Sequence, residues 1–203
     1  MIVVRYADDF VVGFQHRSDA ERFLGELRER FAKFNLELHP EKTRLLEFGR
    51  FAAERRRRRG AGKPETFDFL GFTHACGRTR KGTFAVLRFP IKGRMRAKLK
   101  AIKEALWRRL HRPVEETARW LQSVVRGWLQ YYALPRTSRW LSSFRWQVMW
   151  LWWRTLRRRG DKRKSNWPQV YRLAARWLPL PRILHPYPEQ RLAVRTQGRS
   201  PVR

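Results

Sequence analysis

Two adjacent aspartates, Asp8 and Asp9, lie between apolar, β-branched stretches at residues 2 to 5 and 10 to 14. That composition predicts a β-hairpin with Tyr6-Ala7-Asp8-Asp9 as its turn and the carboxylates at its tip. Paired carboxylates repel, and a hairpin turn more readily takes Asn-Gly or Asp-Gly. Their placement makes physical sense where a divalent cation sits on them. Carboxylate oxygen suits Mg²⁺, a hard ion. Two such ions roughly 4 Å apart can activate an attacking 3′-hydroxyl and stabilise departing pyrophosphate. On residue chemistry alone, a solvated turn explains the pair as well as a metal site does.

A second kind of chemistry is anion binding. The 203-residue chain carries a formal net charge of +30. Residues 1 to 50 hold nine basic and nine acidic side chains, so residues 51 to 203, with 38 basic and 8 acidic, carry the whole excess. Such a field attracts a polyanion and releases its condensed counterions, which favours nucleic acid as partner. All ten tryptophans fall between Trp107 and Trp177, inside the basic block. Folding buries most tryptophans. Tryptophan interleaved with arginine is also how proteins stack on bases and hold phosphates.

The same composition argues against other classes. The apolar N-terminus is broken by Arg5, Asp8 and Asp9, and Trp146 to Trp153 is flanked by Arg145 and Arg154. Neither approaches the roughly 20 apolar residues of a membrane span, so no membrane partner is expected. A single cysteine, Cys76, excludes a disulfide framework. A cytoplasmic protein, in bacterial cytosol or associated with the nucleoid, fits these features.

The elements that would position these residues can be read from pattern. Ser18-Asp19-Ala20-Glu21 has the form of a capping box opening a helix, with Ala20, Phe23, Leu24, Leu27, Phe31 and Phe34 as its buried face. Residues 42 to 48 alternate as a further strand, and Arg55 to Arg59 reads as a solvated connector, since five like charges cannot pack. Residues 66 to 73 and 83 to 89 form a second hairpin. From residue 91 the period becomes helical. One helix carries Ile91, Met95, Leu99, Ile102, Leu106 and Leu110 inward, with Arg96, Lys100 and Lys103 on another face. A second opens at Pro113 with Glu115 and Glu116 and carries the stripe Trp120, Val124, Trp128 and Tyr132, backed by Leu121, Val125 and Leu129. A third, from about residue 138 to 158, turns Leu141, Phe144, Val148, Leu151 and Trp152 inward. Trp146, Trp150 and Trp153 make its second stripe, which must meet more protein or a ligand. A basic linker, Asp161 to Ser165, a short helix near Pro168 to Trp177 and a proline-rich stretch, Pro179 to Pro188, follow.

Arg5-Tyr6-Ala7-Asp8-Asp9-Phe10 resembles the YADD signature of reverse transcriptases, and further motifs follow in that family's order. Leu36-Glu37-Leu38-His39-Pro40-Glu41-Lys42-Thr43 resembles the next palm motif. Phe69-Leu70-Gly71-Phe72 resembles the primer grip, and Val125-Arg126-Gly127-Trp128-Leu129-Gln130-Tyr131-Tyr132 resembles the RGW-x-x-YY core of the group II intron maturase region. A glycine inside that last helix costs about 1 kcal/mol against alanine and needs a packing or contact reason.

The resemblance implies an α+β fold. Residues 1–90 would be the end of a reverse-transcriptase palm, β-hairpins plus a helix. Residues 91–160 would form an all-helical thumb, and 161–203 a basic, proline-rich tail. The implied activity is RNA-directed DNA polymerisation of group II intron type, coupled to maturase activity on structured intron RNA. Asp8 and Asp9 would then ligate Mg²⁺, with Lys42 near the departing pyrophosphate. Phe69, Leu70 and Gly71 would hold the DNA primer on its RNA template. Arg96, Lys100, Lys103, Arg126, Trp146, Trp150 and Trp153 would contact RNA.

The family also requires a third metal-binding aspartate on an upstream palm strand, and fingers that bind the nucleotide. Neither is among these residues, so the isolated chain is expected to be inactive. The chain is expected to be a fragment or a truncated product, or else to have its palm completed by a second polypeptide. Two alternatives stay open: a non-catalytic RNA-binding splicing cofactor, and an inactive remnant of a mobile element.

Overall fold

The structure is a computed structural model and describes residues 1–159 and 166–186. Among these residues the fold is α+β, with six helices and two small antiparallel sheets. The chain divides into two compact units. One comprises Met1–Phe69 and Ala75–Val86, the other Leu70–His74 and Leu87–Arg203. The linker at 161 to 165 and the tail from residue 187 lie outside the described residues.

In the first unit, β1 (Ile2–Tyr6) pairs antiparallel with β2 (Asp9–Gly13), in a register that sets Tyr6 opposite Asp9 and Ile2 opposite Gly13. Helix α1 spans Arg17–Ala32. It starts before the expected capping box: His16 is the N-cap, without a side-chain hydrogen bond, and Ser18 is already inside the helix. Its apolar face is only half-buried, with Phe23 against Phe14 at 5.3 Å between ring centroids, and Phe34 is exposed beyond the helix end. Residues 42 to 48 form no strand. The amides of Lys42 and Thr43 instead bond back to the His39 carbonyl, closing a turn on Pro40.

The arginine run is also not a loop. It belongs to α2 (Ala52–Arg58), anchored by fully buried Ala52. Carboxylates offset the repulsion that made a helix seem unlikely there. Arg55 and Arg59 pair with Glu47, Arg58 with Glu54, and Arg56 with Glu65.

Residues 66 to 73, expected as one side of a hairpin punctuated by Gly71, are two strands separated at Leu70-Gly71. The result is a three-stranded sheet ordered β3 (Phe67–Phe69), β4 (Phe72–Arg78), β5 (Phe84–Pro90). Alternation alone could not reveal a two-residue turn whose first member is leucine.

Among the described residues, the second unit holds four helices: α3 (Lys92–Arg108), α4 (Val114–Tyr132), α5 (Ser138–Arg158) and α6 (Trp167–Trp177). Helix α5 packs on α3, α4 and α6. The core gathers Ile102 and Leu106 of α3, Leu121 and Val125 of α4, Leu141, Phe144, Val148 and Trp152 of α5, and Val170 of α6, all essentially inaccessible. Trp128 of α4 stacks on Phe144 of α5, at 3.8 Å between centroids and 11° between planes. In α4 the row Leu121, Val125 and Leu129 is the deep one, whereas Trp120 and Val124 are only partly buried at its edge. Met149, absent from the expected core, is 1% exposed.

Polar groups close the ends of these helices. The Thr137 hydroxyl, wholly buried, donates to the carbonyls of Tyr132 and Leu134, at 2.7 Å in each case. Arg145 on α5 donates to the Ala174 carbonyl at 2.9 Å, which also accepts the Leu178 amide, and to the Leu178 carbonyl at 3.4 Å, beyond the C-terminus of α6. Burial lowers the pKa of that guanidinium. The proline-rich stretch, to which sequence gave no chemistry, seals α4. The amides of Leu184 and His185 donate to Ala133, and the His185 ring meets the Gln130 carbonyl at 3.2 Å.

Candidate functional site

The first cluster is the β1–β2 tip. The register leaves a two-residue turn, Ala7-Asp8, with Asp9 opening β2. Ala7 lies at φ 49°, in the left-handed region where a side chain costs about 1–2 kcal/mol. The Arg5 guanidinium donates to the Ala7 carbonyl at 3.0 Å and holds the turn. Asp8 and Asp9 are both exposed, and neither makes an ion pair among the described residues. The turn therefore combines local strain with two uncompensated carboxylates, a combination that stability does not favour and that function often retains. Their oxygens suit Mg²⁺ in kind. Two carboxylates from one turn fill only part of an octahedral shell, and no group of three or more candidate ligands occurs among the described residues.

Lys42 is exposed in the His39–Thr43 turn of the same unit, and no hydrogen bond or ion pair links it to Asp8 or Asp9 among the described residues.

The second cluster lies in the helical unit. Leu70 and Gly71, at φ 48° and 78°, form the turn between β3 and β4. Leucine is a poor choice for a left-handed position, and this one is also 36% exposed. The Tyr131 hydroxyl donates to the Leu70 carbonyl at 2.8 Å, and Phe72 stacks on the Tyr131 ring at 16° between planes. A side chain at Gly71 would meet Arg94 and Tyr131 at 3.2 Å.

Beside this turn runs a groove of about 490 Å³ between α3 and α4, lined by Arg94, Lys98, Ser123, Val124, Gly127, Trp128, Tyr131 and Tyr132. Gly127 is exposed in mid-helix, and a Cβ there would meet nothing within 4 Å. Packing against the described residues therefore does not account for the glycine. Burial raises the Tyr132 pKa, helped by neighbouring Tyr131 and opposed by Arg94.

Arg96, Lys100 and Lys103 are exposed on α3, and Arg126 on α4. None lines this groove. Trp146 is half-exposed, while Trp150 and Trp153 are partly buried beneath the guanidiniums of Arg154 and Arg157. Trp153 also meets Trp167 edge-on at 5.1 Å, so this end of the second stripe does contact protein.

Sequence reasoning missed Arg94, Lys98, Ser123 and Tyr131 as site residues. Arg94 and Lys98 are four residues apart, as are Ser123, Gly127 and Tyr131, so helix geometry puts each set on one face, but the spacing does not say which face borders the neighbouring helix.

Residues 1–74 match the family model described as reverse transcriptase (RNA-dependent DNA polymerase), which supports that family for this part of the chain. The matched span contains the Asp8-Asp9 turn, Lys42 and the Leu70-Gly71 turn, and α3 to α6 lie beyond it. No curated protein and no solved structure matches the chain. Among the described residues, no helix is long and apolar enough to cross a membrane.

Proposed function

We propose that the chain carries the metal-binding hairpin and the RNA-gripping thumb of an RNA-directed DNA polymerase of group II intron type, which also acts as a maturase on its intron RNA. The observation that carries this reading is the strained, exposed Asp8-Asp9 turn within the span matched to reverse transcriptases. Asp8 and Asp9 would hold Mg²⁺, which when bound supplies charge neutralisation at the transferring phosphate. Arg5 keeps the turn in its left-handed form and so fixes where both carboxylates stand. The Leu70-Gly71 turn presents backbone and an exposed leucine to a primer strand, and Tyr131 sets its position. Arg94 and Lys98 offer cations to nucleic-acid phosphates along a groove whose floor at Gly127 is bare backbone.

The reading calls for a further carboxylate and for fingers, supplied in cis or by a second polypeptide. The test is primer extension on an RNA template by the chain completed with those parts. DNA synthesis should then require Mg²⁺, and Asp8→Ala should abolish it while leaving RNA binding nearly intact. Synthesis indifferent to Asp8 would overturn the proposal.

A non-catalytic splicing cofactor is the second reading. In its favour, the groove and the cationic helices belong to the helical unit and need no metal. Intron splicing that survives Asp8→Ala, with no DNA synthesis from the completed enzyme, would select it.

A further inference from the structure

Helix α2 and the segments beside it show a layered arrangement of charge. Two carboxylates lie low, Glu47 with 24% and Glu65 with 33% of the side chain exposed. Glu47 is shared by Arg55 and Arg59, and Glu65 by Arg44 and Arg56. The Glu47 amide donates to Glu65 at 3.3 Å and joins the two sets. Above them Arg44, Arg55 and Arg59 are 55–57% exposed. Arg57 is exposed without an ion pair among the described residues, and Arg58 is 74% exposed beside Glu54.

Each partly buried acid thus answers two guanidiniums, so the outer layer stays cationic. Residues 44 to 65 hold eight basic and three acidic side chains, a net +5. A surface selected only for folding would pair these charges one to one, because adjacent like charges on a short helix repel. The sharing instead fixes guanidinium positions while leaving donors free to face outward. Guanidinium suits phosphate oxygens through paired N–H donors, and a regular array of such groups suits a chain of phosphates better than a single anion.

We propose that the α2 arginine layer is a second nucleic-acid contact, separate from the α3–α4 groove, that grips the phosphodiester backbone of structured RNA. The proposal rests on the nucleic-acid reading given above and adds a site in the first unit that the reading does not require.

The experiment uses the full chain and a structured RNA, with affinity followed by fluorescence anisotropy across a salt series. Arg57 and Arg58 hold neither Glu47 nor Glu65, so R57Q/R58Q leaves the network beneath them intact. This variant should weaken binding by roughly tenfold near 100 mM salt and flatten the slope of log affinity against log salt by about 1.5. Glu54→Gln releases Arg58 and should tighten binding, an outcome that a misfolded variant would not produce. Unchanged affinity in both variants, while R94Q/K98Q weakens binding, would overturn the α2 site and leave the groove standing. A wild-type chain that binds RNA with no salt dependence would overturn both readings. Phosphatidylserine vesicles form the last arm. Vesicle binding lost in R57Q/R58Q, with RNA affinity unchanged, would replace RNA by a lipid surface and overturn the proposal.

Discussion

The hydroxyl of Tyr131 and the carbonyl of Leu70, 61 residues apart in sequence, are joined by a 2.8 Å hydrogen bond. The bond fastens the Leu70-Gly71 turn to helix α4. It also explains why residue 71 is glycine. With φ at 78° any side chain is strained, and a Cβ 3.2 Å from Arg94 and Tyr131 would in addition have to displace their side chains by a few tenths of an ångström.

Gly71→Ala should therefore destabilise the helical unit by about 2–3 kcal/mol, from left-handed strain plus displacement of Tyr131. Tyr131→Phe keeps the ring stacked on Phe72 and removes only the hydrogen bond, so about 1 kcal/mol should be lost. Urea unfolding followed by tryptophan fluorescence separates the two. Equal stability of Gly71→Ala and wild type would show that the turn is not held as described.

The tryptophans should divide by burial. Trp152, inaccessible, and Trp128, at 7% exposure, should each cost about 3–5 kcal/mol when truncated to alanine. Trp146→Ala should change stability by less than about 0.5 kcal/mol, and should weaken RNA binding by an amount typical of one lost base stack, about 1–3 kcal/mol. Trp120, partly buried under the Arg109 guanidinium at 4.4 Å, should fall between the two groups. Thermal melts and RNA titrations on the same four variants check the ordering.

How far these features were legible in sequence depended on whether the physics was local. The helices α3 to α5 follow from periodicity, because each buries a continuous apolar stripe, whereas the β1–β2 hairpin follows from its β-branched composition around a polar turn, its strands being exposed or only partly buried. The inward row of α5 was read almost in full, and Met149 was missed because it lies beside the row. The exposed cations of α3 were read, but those lining the groove were passed over. Which polar face meets the neighbouring helix depends on the crossing of α3 and α4, and neither pattern encodes that. Helix α2 was unreadable for a related reason. Local spacing anticipates the Glu54–Arg58 pair, but Arg55, Arg56 and Arg59 are met by Glu47 and Glu65 from flanking segments, and no local rule anticipates that pairing. Gly71 marks the break between β3 and β4 in the sequence, but the two-residue turn is not evident, because its left-handed leucine is an exception to turn chemistry.

Strain at the carboxylate turn can be measured directly. Ala7→Gly should stabilise the first unit by roughly 1 kcal/mol, since glycine takes φ 49° freely and the gain exceeds its added chain entropy. In a completed enzyme the same change should lower the rate of synthesis, because a looser turn holds Asp8 and Asp9 less firmly. Hydrogen exchange at the β1–β2 amides reports the first effect and primer extension the second. Destabilisation by Ala7→Gly would show that Ala7 is not strained.

Tyr132 gives a pH signature. Its folded pKa is raised above the ordinary value of 10.0, chiefly by burial, so the folded state holds the phenolic proton more tightly than the unfolded chain does. Stability from this group is therefore complete below about pH 10 and is lost as pH rises through the folded pKa. Denaturant unfolding at several pH values between about 9 and 11 should show wild type losing stability faster than Tyr132→Phe. Parallel curves for the two would remove Tyr132 as the cause.

Gly127 offers the sharpest separation of folding from function. A helix interior prefers alanine to glycine by about 1 kcal/mol, and the added methyl would meet no protein atom within 4 Å. Gly127→Ala should therefore make the helical unit more stable, by about that amount. If the groove floor is bare so that a nucleic-acid backbone can come against it, the same methyl should obstruct the ligand and weaken RNA binding severalfold. Larger side chains at this position should extend the trend, with binding falling as volume rises while stability stays near the alanine value. Arg94→Gln and Lys98→Gln act on the same groove differently. They should reduce the salt dependence by about one unit of slope each, whereas Gly127→Ala should lower affinity at every salt concentration alike. Urea unfolding and RNA titration of wild type and these variants give a complete test. A Gly127→Ala protein that is both more stable and equally tight for RNA would show that the glycine serves no contact with RNA.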